Sequence, residues 1–144
     1  MLNRPALTQL GHQFKSREAR DNFKLVLDAA ERGDLAVVRR DAPLVVVRRD
    51  IYDADLESSA PFDVKSSIQD GQISFWMDRL PVHGSGATLP EAEEAFLDAL
   101  VDYADLWVEE LRHAPNHKDN APMIRRITMY VGDREELRRV VFDD

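Results

Sequence analysis

Residues 16–33 read SREARDNFKLVLDAAERG, and this stretch decides how the first half of the chain folds. Its apolar residues recur with the 3.6-residue period of an α-helix and predict one apolar stripe, which consists of Ala19, Phe23, Val26, Leu27 and Ala30. Ser16 is a suitable N-cap, Glu18 lies in the first turn, and Gly33 can adopt the left-handed conformation that ends many helices. The sequence therefore predicts a helix over residues 16–32.

Two valine-rich runs follow this helix, at residues 35–40 and 44–49, and each ends in a pair of arginines. Three residues separate them, a connection length typical of an antiparallel hairpin. A short acidic helix is expected at residues 51–57, and residues 58–61 read Ser-Ser-Ala-Pro, which indicates a linker. We therefore expect a first domain over residues 1–57 that consists of a helix and an antiparallel hairpin.

The second half begins with candidate strands at residues 62–68 and 72–77, joined by the turn dipeptide Asp70-Gly71. Residues 80–87 contain one proline and two glycines, which indicates a loop or an irregular edge strand. Together these runs predict a short antiparallel sheet.

The most strongly marked helix of the chain follows, because Thr88 and Glu91 have the spacing of a capping box. Its apolar stripe is long and comprises Ala92, Phe96, Ala99, Leu100, Tyr103, Leu106, Trp107 and Leu111. We expect a further strand at residues 123–131 and a short helix or tail at residues 134–142. The predicted fold class is α+β, with a small acidic second domain over residues 62–144.

The formal net charge is −8, which by itself argues against a nucleic-acid partner. Residues 1–50, however, carry ten Lys or Arg and seven Asp or Glu, whereas residues 51–144 carry nine and twenty. The halves are thus +3 and −11, which indicates two parts with different partners. The chain has no cysteine, no run long enough to cross a bilayer and no apolar leader within residues 1–14, so we expect a cytoplasmic protein without disulfides.

Two short motifs suggest chemistry, and neither is sufficient for it. The run from His83 to Gly86 contains a Gly-Ser-Gly element, but a hydrolase elbow also needs a strand before it, a helix after it and a separate base. His113 and His117 lie four residues apart near Asp119, but a proline between them breaks the shared helical face. We expect no catalytic residue, no metal and no cofactor, and an enzyme that uses His83 and Ser85 is the least favoured hypothesis.

Basic residues of the first half could form a nucleic-acid interface, because Lys and Arg neutralise phosphates and Arg can also read guanine. The candidate residues are Arg17, Arg20, Lys24, Arg39 and Arg40. On charge alone, a solvated helix face would look the same.

Residues 16–55 resemble the DNA-binding domains of the Phd/YefM antitoxins. The matching landmarks, in order, are Glu18, Ala19, Arg20, Asn22, Phe23, Gly33, Arg39 and Pro43. The resemblance implies a homodimer that binds a palindromic operator, with Arg20 and Arg39 in contact with DNA; Arg17, Lys24 and Arg40 are added from helix geometry and proximity. Asp41 departs from the pattern, because a glycine is common at that position of the turn.

The second half has a weaker similarity to the HicB-type antitoxin domain. The similarity lies in residues 63–67, a turn and the strand at residues 72–77, followed by Leu80-Pro81-x-x-Gly84 and by the helix cap Gly86-x-Thr88-Leu89-x-Glu91-Ala92. It implies a compact sheet with one helix packed on it.

Together the two resemblances imply the antitoxin of a type II toxin–antitoxin system that neutralises a cognate toxin and represses its own operon. Many toxins of this kind are small, basic, RNA-cleaving proteins, so an acidic surface would complement them. The candidate toxin-binding residues are Glu94, Asp98, Asp102, Asp105 and Glu109. The alternative is a stand-alone transcriptional regulator with the same first domain and no toxin, and the neighbouring gene would distinguish the two.

Overall fold

The structure, a computed structural model, describes residues 10–143 of the 144-residue chain. It is mixed α+β and divides into two compact units, the first ending at Asp55 and the second beginning at Leu56. The elements that begin in the first unit are β1 (Gly11–Lys15), α1 (Ser16–Asp21), α2 (Phe23–Glu31), β2 (Leu35–Arg39), β3 (Leu44–Val46) and α3 (Arg49–Glu57).

The second unit contains a three-stranded sheet and three further α-helices. Its elements are β4 (Lys65–Gln69), β5 (Gln72–Trp76), β6 (His83–Gly86), α4 (Leu89–Leu106), a π-helical turn (Trp107–Leu111), a 3₁₀ turn (Lys118–Asn120), α5 (Ala121–Tyr130) and α6 (Arg134–Phe142). None of the helices within residues 10–143 is long and apolar enough to cross a membrane.

The helix predicted over residues 16–32 is interrupted at Asn22, so the prediction of one continuous helix is wrong. Asn22 has φ −129° and ψ 49°, and its side-chain amide donates a hydrogen bond to the carbonyl of Glu18 at 3.3 Å. Asparagine favours such local bonds over helical ones. The break also divides the predicted stripe, because Ala19 and Val26 are buried whereas Phe23 and Leu27 are exposed.

The first sheet has the order β1-β2-β3 and contains one strand that the sequence did not predict. β1 pairs in parallel with β2, from Gly11 opposite Leu35 to Lys15 opposite Arg39. The helices α1 and α2 form the crossover connection that a parallel pair requires. β2 and β3 form the predicted antiparallel hairpin, and Gly33 ends the helical segment with φ +89°.

The core of the first unit is small. Its buried cluster consists of Ala19, Val26, Ala29 and Ala36, with Phe14, Val38 and Val46 partly buried against it. Several large apolar side chains of this unit are exposed instead: Leu10, Phe23, Leu25, Leu27, Leu44 and Val45. A unit of this size therefore leaves much of its apolar surface in contact with solvent.

The second sheet has the order β4-β5-β6 and is antiparallel throughout. Asp70 and Gly71 have φ +53° and +78°, the signs that a two-residue type I′ hairpin requires, so the predicted turn is confirmed. β4 begins at Lys65, later than expected, because Asp63 has φ +47°, which is not extended backbone, and Phe62 before it is buried in the core.

The glycines of residues 83–86 allow close approach between β6 and α4. A Cβ at Gly84 would lie 2.2 Å from the backbone nitrogen of Phe96, and one at Gly86 would lie 2.7 Å from that of Ala92. The Gly-rich segment is therefore an edge strand packed directly against a helix.

The start of α4 confirms Thr88 as the predicted N-cap, because the backbone N–H of Glu91 donates to the Thr88 hydroxyl at 3.3 Å. The reciprocal bond of a capping box differs from the prediction: the Glu91 carboxylate accepts from the backbone N–H of Ala87, at 3.2 Å, and not from that of Thr88. Three aromatic rings, of Phe75, Phe96 and Phe142, contact one another between the sheet and the helices.

The strand predicted at residues 123–131 is wrong, because this segment forms α5. Its β-branched and aromatic residues suggested a strand, but the buried positions Met123, Ile124, Ile127 and Tyr130 follow helical spacing. Pro122 occupies the first turn, where a proline is tolerated. Residues 134–142, expected to be a short helix or a tail, form the helix α6.

The difference in charge between the two halves is smaller when it is counted over the structural units. Residues 1–55 carry ten basic and nine acidic residues, a net charge of +1, because Asp53 and Asp55 of α3 belong to this unit. With a net charge of only +1, the first unit can present a basic surface only where several of its Lys and Arg side chains lie together.

Candidate functional site

Cations cluster at the end of β2, where the chain turns towards β3. An open groove there is lined by Ser16, Arg39, Arg40, Asp41, Ala42 and Leu44. Lys15 lies opposite Arg39 in the parallel ladder, so both side chains leave the same face of the sheet. Lys15 could not be predicted from the sequence as part of this cluster, since nothing local in the chain shows that β1 pairs beside β2.

The cations of the helical segment form two groups. Arg17 and Arg20 both approach the Asp21 carboxylate, at 3.9 and 3.4 Å, with side chains 85% and 76% exposed. Lys24 lies beyond the break and donates to Asp28 at 2.8 Å; this hydrogen bond, helped by the carboxylate charge, raises the pKa of Lys24. The break at Asn22 thus places Arg17 and Arg20 on α1 and Lys24 on α2, so these three do not lie on one continuous helix. All five predicted cations are exposed.

The acidic stripe of the second unit is divided by ion pairs within the chain. Arg138 and Arg134 of α6 form ion pairs with Glu94, and Arg134 also forms one with Asp98. The remaining members of the stripe, Asp102, Asp105 and Glu109, are exposed, as are the neighbouring apolar residues Leu106 and Val108.

In the structure, residues of the two short motifs lie on a strand or form hydrogen bonds within the second unit. His83 and Ser85 are exposed on β6, which is a strand throughout and not a strand-to-helix elbow. The Nδ1 atom of His117 lies 2.7 Å from the Tyr103 hydroxyl, and the indole N–H of Trp107 donates to the His117 carbonyl at 2.8 Å. Among residues 10–143, no three His, Asp or Glu side chains are grouped so that they could hold a metal ion.

A set of contacts centred on the buried Arg126 holds the first residues of the second unit against α5. Arg126 is 1% exposed, donates from Nη1 to the Ala60 carbonyl at 2.7 Å, and lies 4.4 Å above the Phe62 ring. This buried cation joins α5 to the segment that precedes β4. The sequence pattern predicted a strand at this position and no role for Arg126.

The structure is thus a small α+β chain of two units, with exposed cations on the first and exposed carboxylates on the second. Residues 11–142 match the PHD-like family, whose description is antitoxin of toxin–antitoxin, RelE/RelB, TA system. The chain belongs to this family and is an antitoxin, which implies a toxin as its partner. No significant match is found among curated proteins.

A crystal structure from Syntrophomonas wolfei subsp. wolfei is similar to this chain, and its description is the antitoxin part of a proposed toxin/antitoxin system. The two share 21% identity over 90% of this chain and 95% of the other, with a TM-score of 0.64. At this identity the likeness establishes the fold.

Proposed function

We propose that this antitoxin acts in the cytoplasm as a homodimer that binds the operator of its own operon through the first unit and the toxin through the second. Membership of the antitoxin family carries the proposal, since a match over residues 11–142 includes both units. The exposed residues of each unit indicate which surface would carry each of these activities.

The dimer is supported by the apolar surface of the first unit. Phe23, Leu25 and Leu27 of α2 are 58%, 54% and 42% exposed, and Leu44 and Val45 of β3 are 48% and 55% exposed. Apolar residues at this density on a small unit mark a protein–protein interface. A second copy of the chain, packed there, would enlarge a core that is small in one copy.

Operator binding is supported by the exposed cations at the end of the first sheet. Arg39 and Arg40 line the groove where β2 ends, Lys15 lies opposite Arg39 in the ladder, and Arg17 and Arg20 lie on the adjoining helix α1. A two-fold axis would present this set twice, as a palindromic site requires. The Lys and Arg side chains would bind DNA phosphates, and Arg20 and Arg39 could also reach base edges.

The operator proposal predicts that Arg20→Ala and Arg39→Ala each weaken binding to the DNA upstream of this gene. The salt dependence should also fall, by about one unit of slope in log Kobs against log salt for each phosphate that the variant no longer neutralises. Fluorescence anisotropy at several salt concentrations measures both quantities. Arg32→Ala is the matched control, because Arg32 is exposed but lies near Asp34, at the opposite end of β2 from Arg39. Equal weakening in all three variants, or in none, would contradict the assignment.

Toxin binding is proposed for the C-terminal part of the acidic stripe, Asp102, Asp105 and Glu109, together with Leu106. Glu94 and Asp98 contribute less directly, because Arg134 and Arg138 already engage them. Carboxylates at the edge of an interface chiefly accelerate association with a cationic partner.

The toxin proposal predicts that the triple variant Asp102→Asn, Asp105→Asn, Glu109→Gln associates more slowly with the protein encoded by the adjacent gene. The association rate, measured by surface plasmon resonance, should also lose part of its ionic-strength dependence. A control of equal charge carries Asp70→Asn, Asp119→Asn and Glu135→Gln. If both triple variants slow association equally, net charge and not this surface is responsible. Operator binding without any toxin partner would make the chain a stand-alone regulator.

A further inference from the structure

β4 is an edge strand, and the main-chain N–H and C=O groups that point away from the sheet belong to Ser66 and Ile68. A two-residue hairpin makes its flanking residues, Gln69 and Gln72, a hydrogen-bonded pair. Strict alternation then makes Ser66 and Ile68 non-hydrogen-bonded partners of β5, so their N–H and C=O groups point away from the sheet. Within residues 10–143 no strand pairs with this edge.

A groove lies beside this edge, within the second unit. It has a volume of about 490 Å³ and is lined by Glu57, Pro61, Phe62, Asp63, Val64, Ser66, Phe75, Val141 and Phe142. Ser66 stands directly opposite Phe75 in the β4–β5 ladder, so Ser66 and Ile68 share the sheet face on which the Phe75 ring packs against Phe142. Side chains opposite one another in a ladder share a face. A strand added to β4 would therefore direct every second side chain towards this groove.

The chemistry of the groove indicates what that strand would carry. Its floor is apolar and aromatic, and both of the charged residues that line it, Glu57 and Asp63, are acidic and exposed. Lys65, on the opposite face of β4, forms its ion pair with Asp78. The groove thus complements an extended segment with apolar side chains at alternate positions and a cationic side chain next to them.

We infer that an extended segment of the toxin adds to β4 as a strand, with apolar side chains in this groove and a cation between Glu57 and Asp63. The inference rests on the proposed toxin-binding function of the second unit. A second copy of this chain fits less well, because its own β4 reads Lys-Ser-Ser-Ile-Gln and offers a single apolar side chain. Strand addition of this kind derives its affinity from main-chain hydrogen bonds and its specificity from alternate side chains.

Two variants of the full-length chain test the inference. Ser66→Pro removes an outward N–H without removing a β4–β5 ladder bond, and Ile68→Lys places a cation on the groove face. Ser67→Lys is the matched control, because Ser67 lies on the same strand but on the other face, in a hydrogen-bonded pair with Ser74. Ile68 is 77% exposed, so Ile68→Lys provides a folded variant even if the proline variant unfolds, which thermal unfolding by circular dichroism checks.

The probe is the purified protein encoded by the adjacent gene, titrated calorimetrically. We expect Ser66→Pro and Ile68→Lys to weaken its binding by at least about tenfold and Ser67→Lys by less than about twofold. Wild-type affinity in Ile68→Lys overturns the inference and leaves the toxin-binding function standing. A wild-type chain that does not bind the probe overturns both. If light scattering shows that Ile68→Lys changes the oligomeric state, a second copy occupies the edge and the inference is again overturned.

Discussion

Single residues of this antitoxin show which kinds of role can be predicted from a sequence. Gly33, Gly71 and Thr88 have the positions expected of them, because left-handed turns and helix caps depend on a few consecutive residues. Arg126 was not predicted, since its burial depends on Ala60 and Phe62, more than sixty residues earlier in the chain. Lys15 was missed for a related reason, because its position beside Arg39 requires the pairing of β1 with β2.

At this scale, we expect Arg126→Ala to lower the free energy of unfolding of the second unit by about 3 kcal/mol. The change leaves the buried Ala60 carbonyl without the Nη1 donor and opens a cavity beside Phe62. Arg126→Met should cost less, because it keeps the volume without burying a charge. Urea unfolding measures the difference, with Arg125→Ala at the exposed neighbouring position as the control. A destabilisation in Arg125→Ala as large as that in Arg126→Ala would contradict this role.

The elements were predicted well where the sequence pattern is periodic and poorly where two patterns compete. The Asp70-Gly71 hairpin and the capped helix α4 are confirmed, and both have strong local signals. Residues 123–131 combine β-branched side chains with helical spacing, and burial of the helical stripe decided the outcome. The interruption at Asn22 was missed because the apolar spacing continues through it, although the helix does not.

The approach of β6 to α4 yields a prediction at the scale of elements. Gly84→Ala should destabilise the second unit by more than about 2 kcal/mol, because the added methyl group would meet backbone that cannot move aside without displacing the helix. Gly132→Ala is the control, with no atom within 4 Å of the added carbon and an expected change within about 0.5 kcal/mol. Thermal unfolding of both variants measures the difference. Equal stabilities would show that α4 can shift away from the strand.

For the whole molecule, the sequence predicted the class of protein better than the shape of its surfaces. The ordered landmarks around Arg20 indicated an antitoxin, which the family match confirms. The exposed apolar residues of α2 could not be predicted, since the same spacing in an uninterrupted helix would have buried Phe23 and Leu27. The ion pairs of Glu94 and Asp98 could not be predicted either, because their arginine partners lie on α6, about forty residues further along the chain.

The unequal cores of the two units predict two unfolding transitions in calorimetry. The first unit should melt at the lower temperature, and its midpoint should rise with protein concentration because the proposed dimerisation would stabilise it. The second unit, with its large aromatic and aliphatic core, should melt at a temperature independent of concentration. The variant Phe23→Glu should abolish the concentration dependence of the first transition and leave the second unchanged. A single transition that shifts as a whole would contradict independent units.

The hydrogen bond between Arg126 and Ala60 also determines where the chain can be cut. A fragment that starts at Phe62, immediately after the predicted linker, would lose the carbonyl to which Arg126 donates and would begin inside the packed core. One that starts at Leu56 keeps that carbonyl, together with the Ser59 carbonyl that accepts from Arg79. Truncation studies of toxin capture should therefore begin at residue 56, because a fragment that starts at Phe62 loses both this packed boundary and two residues of the groove beside β4, Glu57 and Pro61.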